Sequence, residues 1–143
     1  MCFAIRENPI ITSIEERIAK LTGHPVEHGE GMQVVRYLDS GWFRPHWDDF
    51  DVRYSGNSRA FKSGGHRIIT FLIYLNDLPP GRNGGETYFP NIRLSVKPKT
   101  GRALMWYNIL EDGSIDPSTF HEGRPIPRGS IKYLITKWIR ESL

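Results

Sequence analysis

The stretch PHWDDF, residues 45–50, sets a histidine and two acids among large aromatics. Residues i and i+2 of a strand project from one face. On a strand, His46 and Asp48 would share a face, with Trp47 and Asp49 on the other. An imidazole beside a carboxylate has three chemical uses: an ion pair, half of an acid/base dyad, or two ligands of one metal. The H-x-D pair alone does not choose among them.

A catalytic metal needs a further ligand. The chain has 5 histidines: His24, His28, His46, His66 and His121. His24 and His28 fall between a helix and the first long strand, and His66 borders a polar segment. His121 follows DPSTF, at the end of a strand candidate late in the chain. Two histidines and one carboxylate on one side of an ion, with open positions opposite, suit a non-haem Fe(II) oxygenase.

The elements that must position these residues are mostly strands. One helix is clear, from Asn8 to Gly23. Asn8 can cap it, Pro9 fits its first position and Gly23 can end it. Ile10, Ile14, Ile18 and Leu21 recur at helical spacing, with Ile11 on the flank, and predict the face laid on a sheet. Strand patterns follow at 32–37, 43–48, 67–75, 86–89, 92–96, 102–107 and 132–139, separated by turns such as Pro79-Pro80-Gly81 and Asn83-Gly84-Gly85. The stretch RIITFLIYL (67–75) is apolar on both faces except at Arg67 and Thr70, as a central strand would be. One helix followed by many short strands predicts a mainly β fold with flanking α, a sandwich or jelly roll. Residues 49–66 are polar and rich in Gly and Ser. They form either a lid over the site or a solvated insertion.

At 143 residues the chain has room for one domain, expected to span 1–143. It contains no apolar run long enough to span a membrane and shows no signal peptide. Cys2 is the only cysteine, which excludes an internal disulfide or a thiolate cluster and suits a cytoplasmic location. A net charge of +3 is mild and fits ordinary surface variation as well as a nucleic-acid partner.

The landmarks QVVRYLDSGWFRPHWD, RIITFLIYLND, GGETYFP, PKTGRALMWYN and HEGRPIPRGSIKYLITKW occur in that order. The ordered set resembles the prolyl 4-hydroxylase family of Fe(II)/2-oxoglutarate-dependent dioxygenases over nearly the whole chain. The resemblance implies a double-stranded β-helix (jelly-roll, cupin-like) core with the N-terminal helix packed on its sheet. It also implies a metal at one open end. The chain begins late relative to the family, so it is expected to be a minimal enzyme, a catalytic-domain fragment or a chain with a misassigned start.

Carried over position by position, the resemblance makes His46, Asp48 and His121 the iron ligands and leaves Asp49 without a ligand role. Lys132 matches the lysine that holds the far carboxylate of 2-oxoglutarate. Gly129-Ser-Ile-Lys132 has one residue more than the usual spacing, so Lys137 and Arg128 are the alternatives. Tyr37 and Thr70 match hydroxyl residues of the same pocket. Phe43 stands where many relatives have tyrosine, and Trp138 matches a tryptophan near the mouth, so both are candidate substrate contacts. Gly84, Gly85 and Glu86 match a turn motif. Alternation along the last strand puts Lys132, Leu134, Thr136 and Trp138 on one face, with Tyr133, Ile135, Lys137 and Ile139 on the other.

The implied activity is hydroxylation of proline in a peptide or protein. It is coupled to decarboxylation of 2-oxoglutarate and uses Fe(II) and O2, with ascorbate as a further candidate cofactor. Proline-rich segments are pre-extended and lose little entropy on docking. Rival readings are a related dioxygenase acting on nucleic acid or a small molecule, and a non-catalytic jelly-roll metal-binding protein.

Overall fold

In chain order the elements are β1 (Cys2–Phe3), α1 (Pro9–Thr22), β2 (Met32–Leu38), β3 (Phe43–His46), β4 (Arg67–Tyr74), β5 (Thr87–Phe89), β6 (Leu94–Val96), β7 (Ala103–Tyr107), β8 (His121–Gly123) and β9 (Ile131–Arg140). The computed structural model describes residues 1–49 and 64–142. Most of the segment read as a lid, residues 50–63, lies outside the described residues. Among those described, no helix is long and apolar enough to cross a membrane.

Two antiparallel sheets carry the fold, one in the order β1-β2-β9-β4-β7 and the other β3-β8-β5-β6. They face each other as a jelly roll requires, bridged where Tyr74 Oη meets Thr87 Oγ1 at 2.6 Å and donates to Val96 O at 3.1 Å. Leu72, Tyr74 and Leu134 form the core between the sheets, with Val35, Tyr37, Val96, Leu104 and Trp106 packed around them. The outer face of the larger sheet carries Met32, Ile69, Phe71, Ile135 and Ile139, which pack with Ile11 and Ile18 of α1.

The helix forms as its ends dictate. The Asn8 side chain accepts from the Ile10 and Ile11 amides, and Gly23 closes the helix at φ 75. Its buried stripe is rotated from the expected one. Ile10 is 73% exposed and Leu21 is 70% exposed, whereas Ile11, Glu15 and Ile18 are buried. The true stripe is Ile11, Ile14, Glu15 and Ile18. An acid in its middle hides it from a hydrophobic count. Glu15 is tolerated there because Lys137 Nζ, on the outer face of β9, donates to its Oε1 at 2.7 Å. The Arg6 amide donates to its other oxygen at 2.8 Å.

Two strand assignments near the histidines are corrected. β3 stops at His46, so Asp48 lies beyond the strand and simple alternation does not place it. Trp47 does not pack on an opposite face. It stacks on Phe120 with ring centroids 4.3 Å apart. His121 opens β8 rather than ending a strand, and its partner across the sheet is His46.

The buried Glu15–Lys137 pair sets a stability test. Lys137→Met leaves a buried carboxylate unpaired and is expected to cost about 3–5 kcal/mol. Adding Glu15→Leu should recover most of that loss. Urea denaturation of the four proteins reads the coupling; losses that simply add would show the two groups to be independent.

Candidate metal centre

His46 is the last residue of β3, Asp48 follows it past the strand end, and His121 begins the neighbouring β8. Their ligand atoms all lie within 4.8 Å of one another. His46 Nε2 is 3.3 Å from Asp48 Oδ1, and His121 Nε2 is 3.8 Å from Asp48 Oδ2. Each imidazole is oriented by its own backbone. His46 Nδ1 lies 2.8 Å from Arg44 O, and His121 Nδ1 lies 2.8 Å from Thr119 O. A carbonyl oxygen only accepts, so both Nδ1 atoms carry the proton and both Nε2 atoms present a lone pair in the neutral ring. Two imidazole lone pairs and a carboxylate then converge on one point. That donor set fits a divalent transition metal.

The surroundings support the charge states this needs. Burial pushes the Asp48 carboxyl up, but the hydrogen bond from His46 and the charge of His121 when those rings are protonated, with the Thr70 hydrogen bond, outweigh it and hold the carboxyl below its usual value. Burial pushes the His121 imidazole below its usual value, against the pull of Asp48. A neutral imidazole beside an ionised carboxylate is the protonation pattern of metal ligands. The His121 ring is walled by Trp106 at 4.9 Å and Phe89 at 5.5 Å between centroids, and the edge of Phe43 meets His46 at 4.5 Å.

His24, His28 and His66 lie outside this cluster. The His24 and His28 rings sit 6.3 Å from each other. His66 Nδ1 meets Asp49 Oδ2 at 2.6 Å, and Asp49 Oδ1 accepts from the Arg67 amide at 2.8 Å. Asp49 is therefore joined to His66 and Arg67 and is not part of the ligand cluster.

A cavity of about 300 Å³ opens over the cluster. Tyr37, Phe43, Thr70, Lys132 and Trp138 line it together with His46, Asp48 and His121. Lys132 is 1% exposed. Its Nζ donates to Gly85 O at 3.0 Å and lies 4.4 Å over the Tyr37 ring. Gly85 can offer that carbonyl because its φ is +77 and an added Cβ would sit 2.3 Å from Leu78 Cδ1. No carboxylate forms a salt bridge with Lys132 among the described residues. Burial lowers its pKa to about 8, only partly opposed by Glu86. Burial, and then the Asp48 charge, raise the Tyr37 pKa, so its hydroxyl keeps its proton for donation.

The two alternatives to Lys132 lie elsewhere. Lys137 is on the other face of β9 with Glu15, and Arg128 is exposed and outside the cavity. Thr70 differs from its expected use on a cosubstrate carboxylate. It donates to Asp48 Oδ2 at 2.8 Å and accepts from Asn108 Nδ2 at 2.9 Å, so its single proton is already placed.

Sequence reasoning missed Arg67, Gln33, Trp106 and Asn108 as parts of the site. Gln33 shares a strand face with Tyr37, so alternation could have found it, as it placed Thr136 beside Lys132. Arg67 could not be found that way. A bulge between Arg67 and Ile69 breaks the β4–β9 register and turns Arg67 into the cavity, where its guanidinium lies 3.9 Å over Trp138.

Comparison with known proteins matches residues 32–140 to the 2OG-Fe(II) oxygenase superfamily. The chain is 40% identical to the probable prolyl 4-hydroxylase 10 of Arabidopsis thaliana, over 91% of this chain and 48% of that one. It is 39% identical to the prolyl 4-hydroxylase subunit alpha-1 of Homo sapiens, over 94% of this chain and 24% of that one. The chain thus spans half or less of the length of these relatives. Its fold superposes on a viral collagen prolyl hydroxylase from Paramecium Bursaria Chlorella virus-1, solved as a 2OG complex. The TM-score is 0.82 at 24% identity, covering 100% of this chain and 79% of that one. The chain belongs to the 2OG-Fe(II) oxygenase superfamily, and these two sequence relatives are named prolyl 4-hydroxylases.

Proposed function

We propose that the chain acts as one catalytic domain, an Fe(II)- and 2-oxoglutarate-dependent dioxygenase that hydroxylates proline in a peptide or protein. The observation that carries this reading is Lys132. It is a buried ammonium lining a cavity, with no carboxylate salt bridge among the described residues and with the His46–Asp48–His121 cluster lining the same cavity. A lone buried ammonium is costly, and a dicarboxylate cosubstrate would relieve that cost.

In this reading His46 Nε2, Asp48 and His121 Nε2 hold the iron. Bound iron, with O2, supplies the oxidising chemistry: 2-oxoglutarate is converted to succinate and carbon dioxide while one oxygen atom enters a C–H bond. Lys132 takes the far carboxylate and the Tyr37 hydroxyl donates to it, which fixes the cosubstrate's direction in the cavity. Thr70 steadies Asp48. Phe43, Trp47 and Trp138 offer aromatic faces to an extended proline-containing segment and exclude water from the reacting carbon. The names of the sequence relatives support proline as the target.

The activity assay combines Fe(II), 2-oxoglutarate, O2 and ascorbate with a panel of proline-containing peptides. Succinate and a peptide mass gain of one oxygen atom should appear together. Succinate without any oxygenated peptide would point to another substrate class. Neither product would favour a non-catalytic metal-binding protein.

Two binding experiments test the parts. Mn(II) titration should show tight binding to the wild type and its loss in Asp48→Ala, with circular dichroism unchanged. Unaltered Mn(II) affinity in Asp48→Ala would remove the centre from this cluster. For the anchor, Lys132→Ala removes one side of a buried charge pair, worth about 3–5 kcal/mol. At roughly 1.4 kcal/mol per decade, 2-oxoglutarate should bind about two to three decades more weakly. Arg128→Ala should have no effect.

The same lysine sets a pH dependence. Its pKa near 8 in the free protein means that it is charged below that pH and neutral above it. Only the charged form attracts a carboxylate. Affinity for 2-oxoglutarate in the Mn(II) form should therefore be level below pH of about 7 and fall as pH rises through about 8. Calorimetry across that range reads it. A level affinity up to pH of about 9.5 would place the anchor on another group.

A further inference from the structure

We infer that Asn108 is a positioning residue of the metal centre: its amide makes the Thr70 oxygen an acceptor and so turns the Thr70 hydroxyl proton onto Asp48. The inference rests on the reading of Asp48 as a metal ligand and goes beyond it.

A hydroxyl has one proton and can donate in one direction only. Thr70, 0% exposed on β4, has two polar neighbours within reach. Asp48 Oδ2 is 2.8 Å away and Asn108 Nδ2 is 2.9 Å away. The direction of the Asn108 amide is fixed independently, because Nδ2 also lies 2.8 Å from the Arg67 carbonyl oxygen. With the amide turned over, two acceptor oxygens would face each other there. Main chain at the start of β4 therefore sets the amide, the amide sets the hydroxyl, and the hydroxyl sets the carboxylate. Each bond in such a directed chain polarises the next.

Two further observations support the assignment. Asn108 is 1% exposed, and its Oδ1 is buried with no partner among the described residues. The residue is thus used for its donors, which neither an aspartate nor a leucine of similar size could supply. Its backbone reaches the other limb of the centre. The Asn108 amide donates to Ile68 O at 2.9 Å, and its carbonyl accepts from the Asp116 amide at 2.9 Å. Asp116 caps the turn at Pro117–Thr119 through the Ser118 amide at 2.8 Å. Thr119 O then holds His121 Nδ1 at 2.8 Å. One residue is joined to Asp48 by its side chain and to His121 by its main chain.

The test is Mn(II) affinity of the metal-free protein in a double-mutant cycle of Asn108→Leu and Thr70→Val, with Asp48→Ala as control. Partners behind metal ligands typically change affinity by about 10–100-fold. Thr70→Val should fall in that range, and Asn108→Leu should weaken Mn(II) by about threefold or more. In the Thr70→Val background Asn108→Leu should add nothing, because the relay is already cut. An Asn108→Leu loss that persists undiminished in that background would mean that it acts through the fold alone, and the relay would be rejected. So would a silent Asn108→Leu beside an effective Thr70→Val. If Asp48→Ala keeps Mn(II), the ligand reading itself fails, which is a separate outcome. Should Asn108→Leu not fold, unaltered Asn108 carries the test. Its side-chain NH2 resonances should shift when Zn(II) binds the wild type and stay fixed when Zn(II) binds Thr70→Val. A shift in both, or in neither, rejects the relay.

Discussion

Asp48 is a carboxylate taken out of water, with an imidazole nitrogen facing each of its oxygens. Removing such a charge from solvent costs several kcal/mol. A divalent cation shared among the three groups would satisfy all of them at once, with both imidazoles keeping their Nδ1 protons on backbone carbonyls. The rest of the structure is arranged around that demand. β3 and β8 pair so that His46 and His121 lie opposite each other, and Asp48 folds back from just past the strand end. Thr70 reaches it from the other sheet, and the Arg67 guanidinium meets its main-chain oxygen at 3.3 Å.

β9 shows how one strand serves both stability and chemistry. Lys132 and Lys137 are each 1% exposed, on opposite faces of the same strand. Lys137 meets Glu15 on the helix side and completes a closed ion pair. Lys132 faces the cavity and leans on a carbonyl and a ring. The first lysine is neutralised within the fold, while the second has no carboxylate salt bridge among the described residues, as the proposed anchoring role requires. Its pKa near 8 expresses that deficit. The contrast separates a lysine paired within the fold from one that faces the cavity, although the two look alike in the sequence.

Much of this was legible before the structure. The H-x-D pair left three uses open; the ordered landmarks and the family resemblance they carry named the residues that the cavity brings together. The β-rich architecture and the capped helix followed from turns, caps and periodicity. The failures have physical causes. Ile10 and Leu21 drew the helix stripe to the wrong side because the acid that completes the true stripe is paired with a lysine more than a hundred residues away in sequence. Arg67 was missed because a bulge breaks strand parity. The use of Thr70 depended on Asn108, a contact across 38 residues of chain that no local pattern encodes. Alternation suggested the common face of His46 and Asp48, yet the strand ends between them, and pairing with β8 does the work instead.

The most direct measurement is the visible absorbance of the protein mixed anaerobically with Fe(II) and 2-oxoglutarate. A 2-oxo acid chelating Fe(II) gives a charge-transfer band, whereas succinate, which lacks the oxo group, gives none. The expected result is a band in the wild type, no band in Asp48→Ala, and a band in Lys132→Ala only at much higher 2-oxoglutarate. A band of equal strength in Asp48→Ala, or none in the wild type at saturating Fe(II) and 2-oxoglutarate, would contradict the assignment of this cavity as the iron and cosubstrate site.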